Sequence, residues 1–367
     1  MLAFHKGQSQ LMALYGILRA DRAIYHKRPC PLVLNVNFQQ QIRNPKGMKI
    51  PLSLRSVISI HGKDSPKFLN GICTQVIPSH ADGGRYAAFL SPHGRMLYDT
   101  FIYPTADDSF LLDVDKRISS NVLALCKKYQ LRSKVRIKSV DDAAVYSSSS
   151  GAVNGTLASM PDPRVPSEYG LGERIIASAA EAQEGEAAPH SEYLRKRYTL
   201  GVPEGIDDIW PEKSLPLECN LDYMNGVNFK KGCYVGQELT IRTQHTGVVR
   251  KRVLPMTLSL KGGVGNTSNQ EVPPPATNIY AQLPNLRTPK QVGKVGGMLP
   301  NADGSYSGVG LLRLEMLVRA PHSLFVKGDG DTQWQVRTEM PSWWPSDPKT
   351  DGILREAEGG STSTDSD

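Results

Sequence analysis

The 367-residue sequence predicts an α+β fold that closes with a small C-terminal β-barrel. Three observations carry this expectation. Strand-like and helix-like stretches alternate between residues 52 and 138. From Gly247 onward the pattern becomes strand-rich, with no further long helix. The composition, 39% hydrophobic, suffices for a sizeable core, and no apolar run approaches the roughly 18 residues that a membrane span requires.

The first elements follow from local patterning. Val57 to Ile60 reads as a strand. Ser65, Pro66 and Gly71 bracket a short helix with Phe68 and Leu69 on its inner side. Residues 85–90 and 96–103 are strands joined by Ser91-Pro-His-Gly-Arg95, a turn-forming cluster that favours a hairpin. Residues 110–114 form another strand, Asp115 caps a helix over 116–129, and Val135 and Ile137 alternate with Arg136 and Lys138 in a half-buried strand. This reads as the strand-helix-strand-strand-helix-strand order of a ferredoxin-like sheet. The Ser/Gly/Pro stretch 147–166 and the Ala/Glu/Gly stretch 177–189 are expected to be insertions, and 192–200 a helix stopped by Gly201. Short strands within 247–344, interrupted by a low-complexity insert at 261–278, predict the barrel, and 345–367, rich in Ser, Thr, Asp and Glu, a disordered tail.

The net charge of +7 is concentrated at one end. Residues 1–49 hold eight Lys or Arg and one acid, with Leu11, Leu14, Tyr15 and Leu18 at helical spacing. An acid-poor, Arg-containing amphipathic stretch reads as a mitochondrial transit peptide with a linker, and a basic nucleic-acid-binding arm is the alternative. Removing 1–49 leaves a nearly neutral chain, which argues against nucleic acid as the partner. The five cysteines are odd in number and lack zinc-type spacing, so neither a disulfide framework nor a structural zinc site is expected.

The densest chemistry lies in Asn228-Phe-Lys-Lys-Gly-Cys-Tyr-Val-Gly-Gln-Glu-Leu-Thr-Ile-Arg-Thr-Gln-His245. Cys233 stands between two glycines, with Lys230 and Lys231 before it. A helix started by Tyr234-Val-Gly-Gln-Glu-Leu239 would place Cys233 near its N-terminus, where the helix and the lysines favour thiolate. The plainer reading is a tight turn with Cys233 as a small buried hydrophobe.

Lys231-Gly-Cys-Tyr-Val-Gly-Gln-Glu238 resembles the K-G-C-[aromatic]-x-G-Q-E signature of the YgfZ branch of the glycine-cleavage T-protein-like, folate-binding family. The mitochondrial members of that branch are iron–sulfur cluster assembly factors. Further landmarks, Phe68-Leu-Asn-Gly71, Ala88 to Arg95, Leu215-Pro-Leu-Glu218, Thr240 to His245, Arg250-Lys-Arg252 and Gly310-Leu-Leu-Arg313, extend the resemblance over about residues 52–340. It implies ferredoxin-like folate-binding domains over 50–246, followed by the barrel. It also implies tetrahydrofolate as a ligand, with Glu218 matching the acid that accepts from the pterin N–H edge. Tyr86, Phe89, Tyr98 and Trp210 could wall a flat ring, and Arg95, Arg242 or Arg250 could meet a glutamate tail. Lys231, Tyr234 and Gln237 fall in the same signature and join the cofactor-binding set. One departure stands out: Met96-Leu-Tyr98-Asp99 keeps a single carboxylate where the T-proteins carry two adjacent aspartates, so Asp99 is the one catalytic acid left and aminomethyl transfer is in question.

Two functions are therefore expected. The first is a factor in the mitochondrial matrix that supports maturation of [4Fe–4S] client enzymes. In it Cys233 acts as ligand or thiol partner of a bridging [2Fe–2S] cluster, and an A-type iron–sulfur scaffold supplies the other ligands. The second is a folate-dependent one-carbon transferase or demethylase with Cys233 and Asp99 at its centre. An RNA-binding module using Lys230-Lys231 and Arg250-Lys-Arg252 is a third, weaker reading. No membrane attachment is expected.

Overall fold

The computed structural model describes residues 48–149, 153–183, 187–261, 271–284, 286–330 and 332–359. The expected transit peptide and Cys30 lie outside the described residues.

A five-stranded antiparallel sheet organises the N-terminal part. Its strands are β2 (Arg55–His61), β3 (Arg85–Leu90), β4 (Met96–Ala106), β5 (Ser109–Asp115) and β6 (Arg136–Val140), in the order β3-β4-β5-β2-β6. Four of them, with helices α1 (Ser65–Ile72) and α2 (Ser119–Gln130), follow the ferredoxin-like order, and β3 is an added edge strand. Strand alternation sorts the side chains into two layers. Ile58, Ile60, Ala87, Phe89, Ile102 and Leu112 pack under Phe68 and Leu69 of α1 and Val122 and Cys126 of α2. Val57, Tyr86, Ala88, Phe101 and Tyr103 face the other way.

That second face packs against a sheet of β1 (Lys49–Pro51), β7 (Ala143–Ser148), β9 (Glu173–Ser178) and β8 (Thr156–Pro161), in that order. Here the expectation of an insertion over 147–166 fails. Residues Thr156–Pro161 pair along β9, Met160 is buried in the main core, and Arg164 is fully buried. The stretch looked like loop because of its Ser, Gly and Pro, yet β8 is an edge strand, where a terminal proline costs no ladder bond. Ala177 and Ser178 likewise close β9, so the expected insert at 177–189 starts inside the sheet.

The joint between the two sheets is polar. Asp113 of β5 is fully buried, with Oδ1 accepting from Arg55 Nε of β2 and Oδ2 from Arg174 Nε of β9, each at 2.5 Å. Glu204 Oε2 accepts from Arg164 Nη1 at 2.7 Å, Arg174 Nη1 at 3.1 Å and the Tyr193 hydroxyl at 2.6 Å. Asp162 closes on Arg164 through two further bonds. Burial alone would raise Glu204, but Arg174, Arg164 and Arg55 outweigh it and hold the carboxyl well below its ordinary range.

Helices α3 (His190–Thr199) and α4 (Gly205–Asp208) lead to a long irregular segment and then α5 (Gln237–Thr246). The C-terminal part is a closed barrel of β10 (Lys251–Leu260), β13 (Tyr306–Arg313), β12 (Lys290–Pro300), β11 (Asn278–Ala281), β14 (Leu324–Lys327) and β15 (Gln333–Thr338), with the short α6 (Met316–Arg319) beside it. The expected tail is ordered through residue 359. Asp347 accepts from the Lys349 amide and the Thr350 hydroxyl and so starts α7 (Pro348–Gly359), while Ile353 packs on the barrel core and Ala357 is buried. The polar composition concealed an amphipathic helix. Residues 360–367 of that expected tail lie outside the described residues.

Replacing Asp113 by Asn leaves two buried guanidinium groups short of one negative charge. Equilibrium denaturation should show a loss of about 3–5 kcal/mol; a loss below about 1 kcal/mol would mean the sheets are joined by apolar packing alone.

Candidate functional site

The cysteine loop is held rigidly at its base. Val235 N donates to Gly71 O and Asn228 N to Thr74 O, tying the loop to the end of α1. Lys231 Nζ donates to three carbonyls there, Asn70 O at 2.9 Å, Cys73 O at 2.7 Å and Gln75 O at 2.8 Å. These are acceptors at and just beyond a helix C-terminus, and an ammonium group is the natural donor for them. Lys231 also sits 4.9 Å from the ring centre of Tyr234, which is buried. Gln237 Oε1 accepts from the Tyr234 amide and tightens the bend.

These contacts correct the expected thiolate environment. Helix α5 begins only at Gln237, after Gly236 at φ 78°, so Cys233 is not at its N-terminus. The lysine next to it is spent on the carbonyls around α1, and Lys231, Tyr234 and Gln237 shape the loop instead of lining a ligand. What remains is exposure. Cys233 is exposed, whereas Cys73, Cys126 and Cys219 are buried. Burial pushes Cys73 up and Cys126 up to about 12, and drives Cys219 higher still.

A second cluster forms around Glu218. Its carboxylate, 18% exposed, lies 3.8 Å from Lys251 Nζ. Burial raises its pKa, and Lys251, Arg95 and Arg313 pull against that rise. Lys251 and Arg313 are directly opposite one another on β10 and β13. Like charges in that position repel, so the pair needs an anionic neighbour. Three cations therefore converge on one acid. Of these only Arg95 was singled out from sequence. The signal for Lys251 was the pleat: on a strand it points away from Arg250 and Arg252. Arg252 is instead buried on Asp222 and stacked 3.7 Å over Tyr223, and Arg250 is exposed, so the expected basic triplet is split among three environments.

The turn Ser91–Arg95 links the two clusters. A Cβ added to Gly94 would stand 2.8 Å from Leu239 Cβ and 2.9 Å from Gly236 O, so α5 and the cysteine loop close directly onto the turn that carries Arg95. Gly94 has φ 76°, which independently requires glycine.

Other expected residues do not join. Asp99 is buried, with Oδ1 accepting from Gly205 N at 3.1 Å and Oδ2 from Arg55 Nη1 at 3.3 Å; burial raises its pKa while Arg55 opposes this. Both its oxygens are engaged in the joint between the sheets, apart from the cations gathered around Glu218. Tyr98 and Phe89 face the helix-covered layer, Tyr98 beside Asn121 and Glu212, so neither walls a cavity at Glu218. Tyr86 lies on the other side of the sheet, Trp210 is buried in the segment after α4, and among the described residues the Tyr86 hydroxyl and Trp210 Nε1 have no hydrogen-bond partner. Arg242 and His245 are exposed on α5.

Comparison with known proteins fits this arrangement. The model of the CAF17 C-terminal beta-barrel domain matches residues 250–346. An iron–sulfur cluster assembly factor IBA57 homolog, mitochondrial, of Mycosarcoma maydis is 37% identical over 342 residues, covering 80% of this chain and 84% of that protein. The chain belongs to the IBA57 family. A second IBA57 homolog, from Aspergillus clavatus, is 35% identical over 349 residues, 80% of this chain and 75% of that protein. The Neurospora crassa IBA57 homolog is 40% identical over 238 residues, a match spanning 58% of this chain and 54% of that protein. Among solved structures, the glycine cleavage system aminomethyltransferase T of Bartonella henselae superposes with a TM-score of 0.56 at 12% identity, covering 81% of this chain and 87% of that one. This likeness shows the fold. The IBA57 relatives are named as mitochondrial, and among the described residues no helix is long and apolar enough to cross a membrane.

Two measurements check the site. With native protein at neutral pH, Cys233 should be alkylated at least about tenfold faster than Cys73, Cys126 or Cys219, because it is exposed while burial shields the other three and pushes their thiols up; comparable rates would mean the loop is closed. Glu218→Gln should raise stability at neutral pH. A carboxyl whose folded pKa is raised contributes stability below its unfolded pKa and loses it as pH rises through the folded value. The variant's advantage should therefore vanish as pH falls below the ordinary carboxylate range, and a variant less stable at pH 7 would show that the cations outweigh burial.

Proposed function

We propose that the chain works as a mitochondrial iron–sulfur cluster assembly factor of the matrix, with Cys233 as the ligand it offers to a cluster carried by a partner. The exposed sulfur on a clamped bend carries this reading. The thiol loses its proton on binding iron, and the soft sulfur suits that metal. Among the described residues no group of three or more His, Cys, Asp and Glu could hold a metal, so one cysteine must share a [2Fe–2S] cluster with a scaffold that contributes the remaining ligands. An A-type iron–sulfur scaffold is the partner of matching chemistry, and [4Fe–4S] enzymes are the clients. The cluster is cargo, held between two chains, and the loop needs only to present its sulfur without moving.

Tetrahydrofolate fits the second cluster. Glu218 can accept from a pterin N–H edge, and Arg95, Lys251 and Arg313 offer cations to a glutamate tail. When bound, the folate could supply one-carbon or redox chemistry. The chain's own residues hold and orient it. The transferase alternative requires a free acid beside the ligand, and Asp99 is engaged on both oxygens, which favours binding over aminomethyl transfer.

The test mixes the full chain with an A-type scaffold loaded with a [2Fe–2S] cluster. A complex with cluster absorbance is expected, and Cys233→Ala should lose it while Glu218→Gln keeps it. Calorimetry with tetrahydrofolate should show the reverse, with Glu218→Gln weakened at least about tenfold, roughly one buried charged hydrogen bond. Full retention of the complex by Cys233→Ala, together with folate turnover, would establish the transferase instead.

A further inference from the structure

The edge of the main sheet farthest from the cysteine loop carries a feature that the reading above does not use. Strands β3 and β6 are its opposite edges, so β6 lies four strand spacings, about 19 Å, from the edge beside the Ser91–Arg95 turn. Between residues 127 and 138 the chain has six cations, Lys127, Lys128, Arg132, Lys134, Arg136 and Lys138, and no acid. All six are exposed, and none forms an ion pair among the described residues. In their midst Leu131 ends α2 at φ 45°, ψ −111°, and is 86% exposed. A positive φ is strained for any residue with a Cβ, and glycine is the usual occupant. A large apolar side chain there, turned wholly to water, contributes nothing to folding. A groove of about 590 Å³ runs beside it, lined by His61, Ser133, Lys134 and Arg136 with Asp108 as its one acid. The His61 Nε2 in that groove is buried and unpartnered.

Among the described residues strand β6 pairs only with β2, which leaves its outer backbone edge without a ladder partner there. Edge lysines are a common protection against strand-to-strand aggregation. That accounts for Arg136 and Lys138 but not for the strained, exposed Leu131 or for the groove. We propose that β6 and the α2–β6 turn form a docking surface for an acidic protein segment, which adds as a sixth strand with carboxylates on the cations and an apolar side chain against Leu131. The open ladder selects a polypeptide, since neither a lipid surface nor a nucleic acid can continue a β-sheet. Being at the far edge, this contact leaves Cys233 free, so one partner could be anchored here while a cluster is exchanged there.

The probe is a fluorescent peptide of alternating Glu and Val, long enough to pair with all of β6, titrated into the full chain. Saturable binding is expected, lost above about 0.5 M salt, where charges are screened within about 4 Å. It should weaken at least about tenfold in Arg136→Glu/Lys138→Glu and in Leu131→Gly. Amides of 136–140 should exchange more slowly in the complex. Leu131→Gly should melt at the same temperature or a few degrees, about 2 °C, higher, because the strain is relieved. A residue kept for structure would do the opposite. Cys233→Ser should bind the peptide normally, which separates this surface from the cluster site. Absence of peptide binding, unchanged affinity in the variants, protection at another strand, or binding to phosphatidylglycerol vesicles or single-stranded RNA but not to the peptide would each overturn the proposal.

Discussion

The structure depends on one buried electrostatic joint. Arg55, Arg164 and Arg174 meet Asp99, Asp113, Asp162 and Glu204 where the two sheets face each other, and all seven are buried. Their guanidinium groups gather over the ring of Phe101, at 3.9 Å for Arg174, 4.8 Å for Arg164 and 5.8 Å for Arg55. Each of these groups would cost several kcal/mol if buried alone. They are tolerable only together, and the partners come from β2, β4, β5, β9, the segment after β8 and the approach to α4. Such a set fixes relative position in a way that apolar packing, which accepts sliding, does not. It is a registration device at the centre of the N-terminal part.

This joint also decides where chemistry can occur. Asp99 is drawn into it, with one oxygen on Arg55 and the other on the Gly205 amide. Where the joint ends, the Ser91–Arg95 turn, the cysteine loop and the first residues of the barrel share a rim. There Glu218 stands among Lys251, Arg95 and Arg313, and Cys233 stands in solvent. The two clusters differ in kind. One is a half-buried acid inside a positive field, suited to a polar organic ligand. The other is a single soft donor on a bend, suited to a metal held mainly by someone else.

Rigidity at that bend comes from the end of a helix. Lys231 uses its three donors on carbonyls at and beyond the end of α1, and Gly236 closes on the backbone of Ser91 and Gly94. At the other end of α5, Lys349 Nζ donates to Gln244 O at 2.8 Å and to Gly247 O at 3.0 Å. The first turn of α7 thus buttresses the element that follows the cysteine. Tyr223, edge-on to Trp344 and bonded to Asp347, ties the segment before that helix to the chain leading into the cysteine loop.

Sequence alone determined the features that are local or motif-borne. Hairpin and helix signals placed β3, β4, α1 and α2 to within about three residues, and the run from Lys231 to Glu238 marked the family; that its thiol is exposed and not buried came from the fold. Periodicity and turn chemistry act within a few residues, so they can be read along the chain. Tertiary structure decided what depends on partners far away. It took Lys231 from the sulfur to a helix end, Asp99 from catalysis to a salt-bridge network, and Arg252 to a buried carboxylate. It set Lys251 and Arg313 side by side through a barrel register that no linear pattern contains. The reason is common to all four: where a charged side chain ends depends on which acceptors and charges the folded chain brings within reach, and the sequence does not say which those will be.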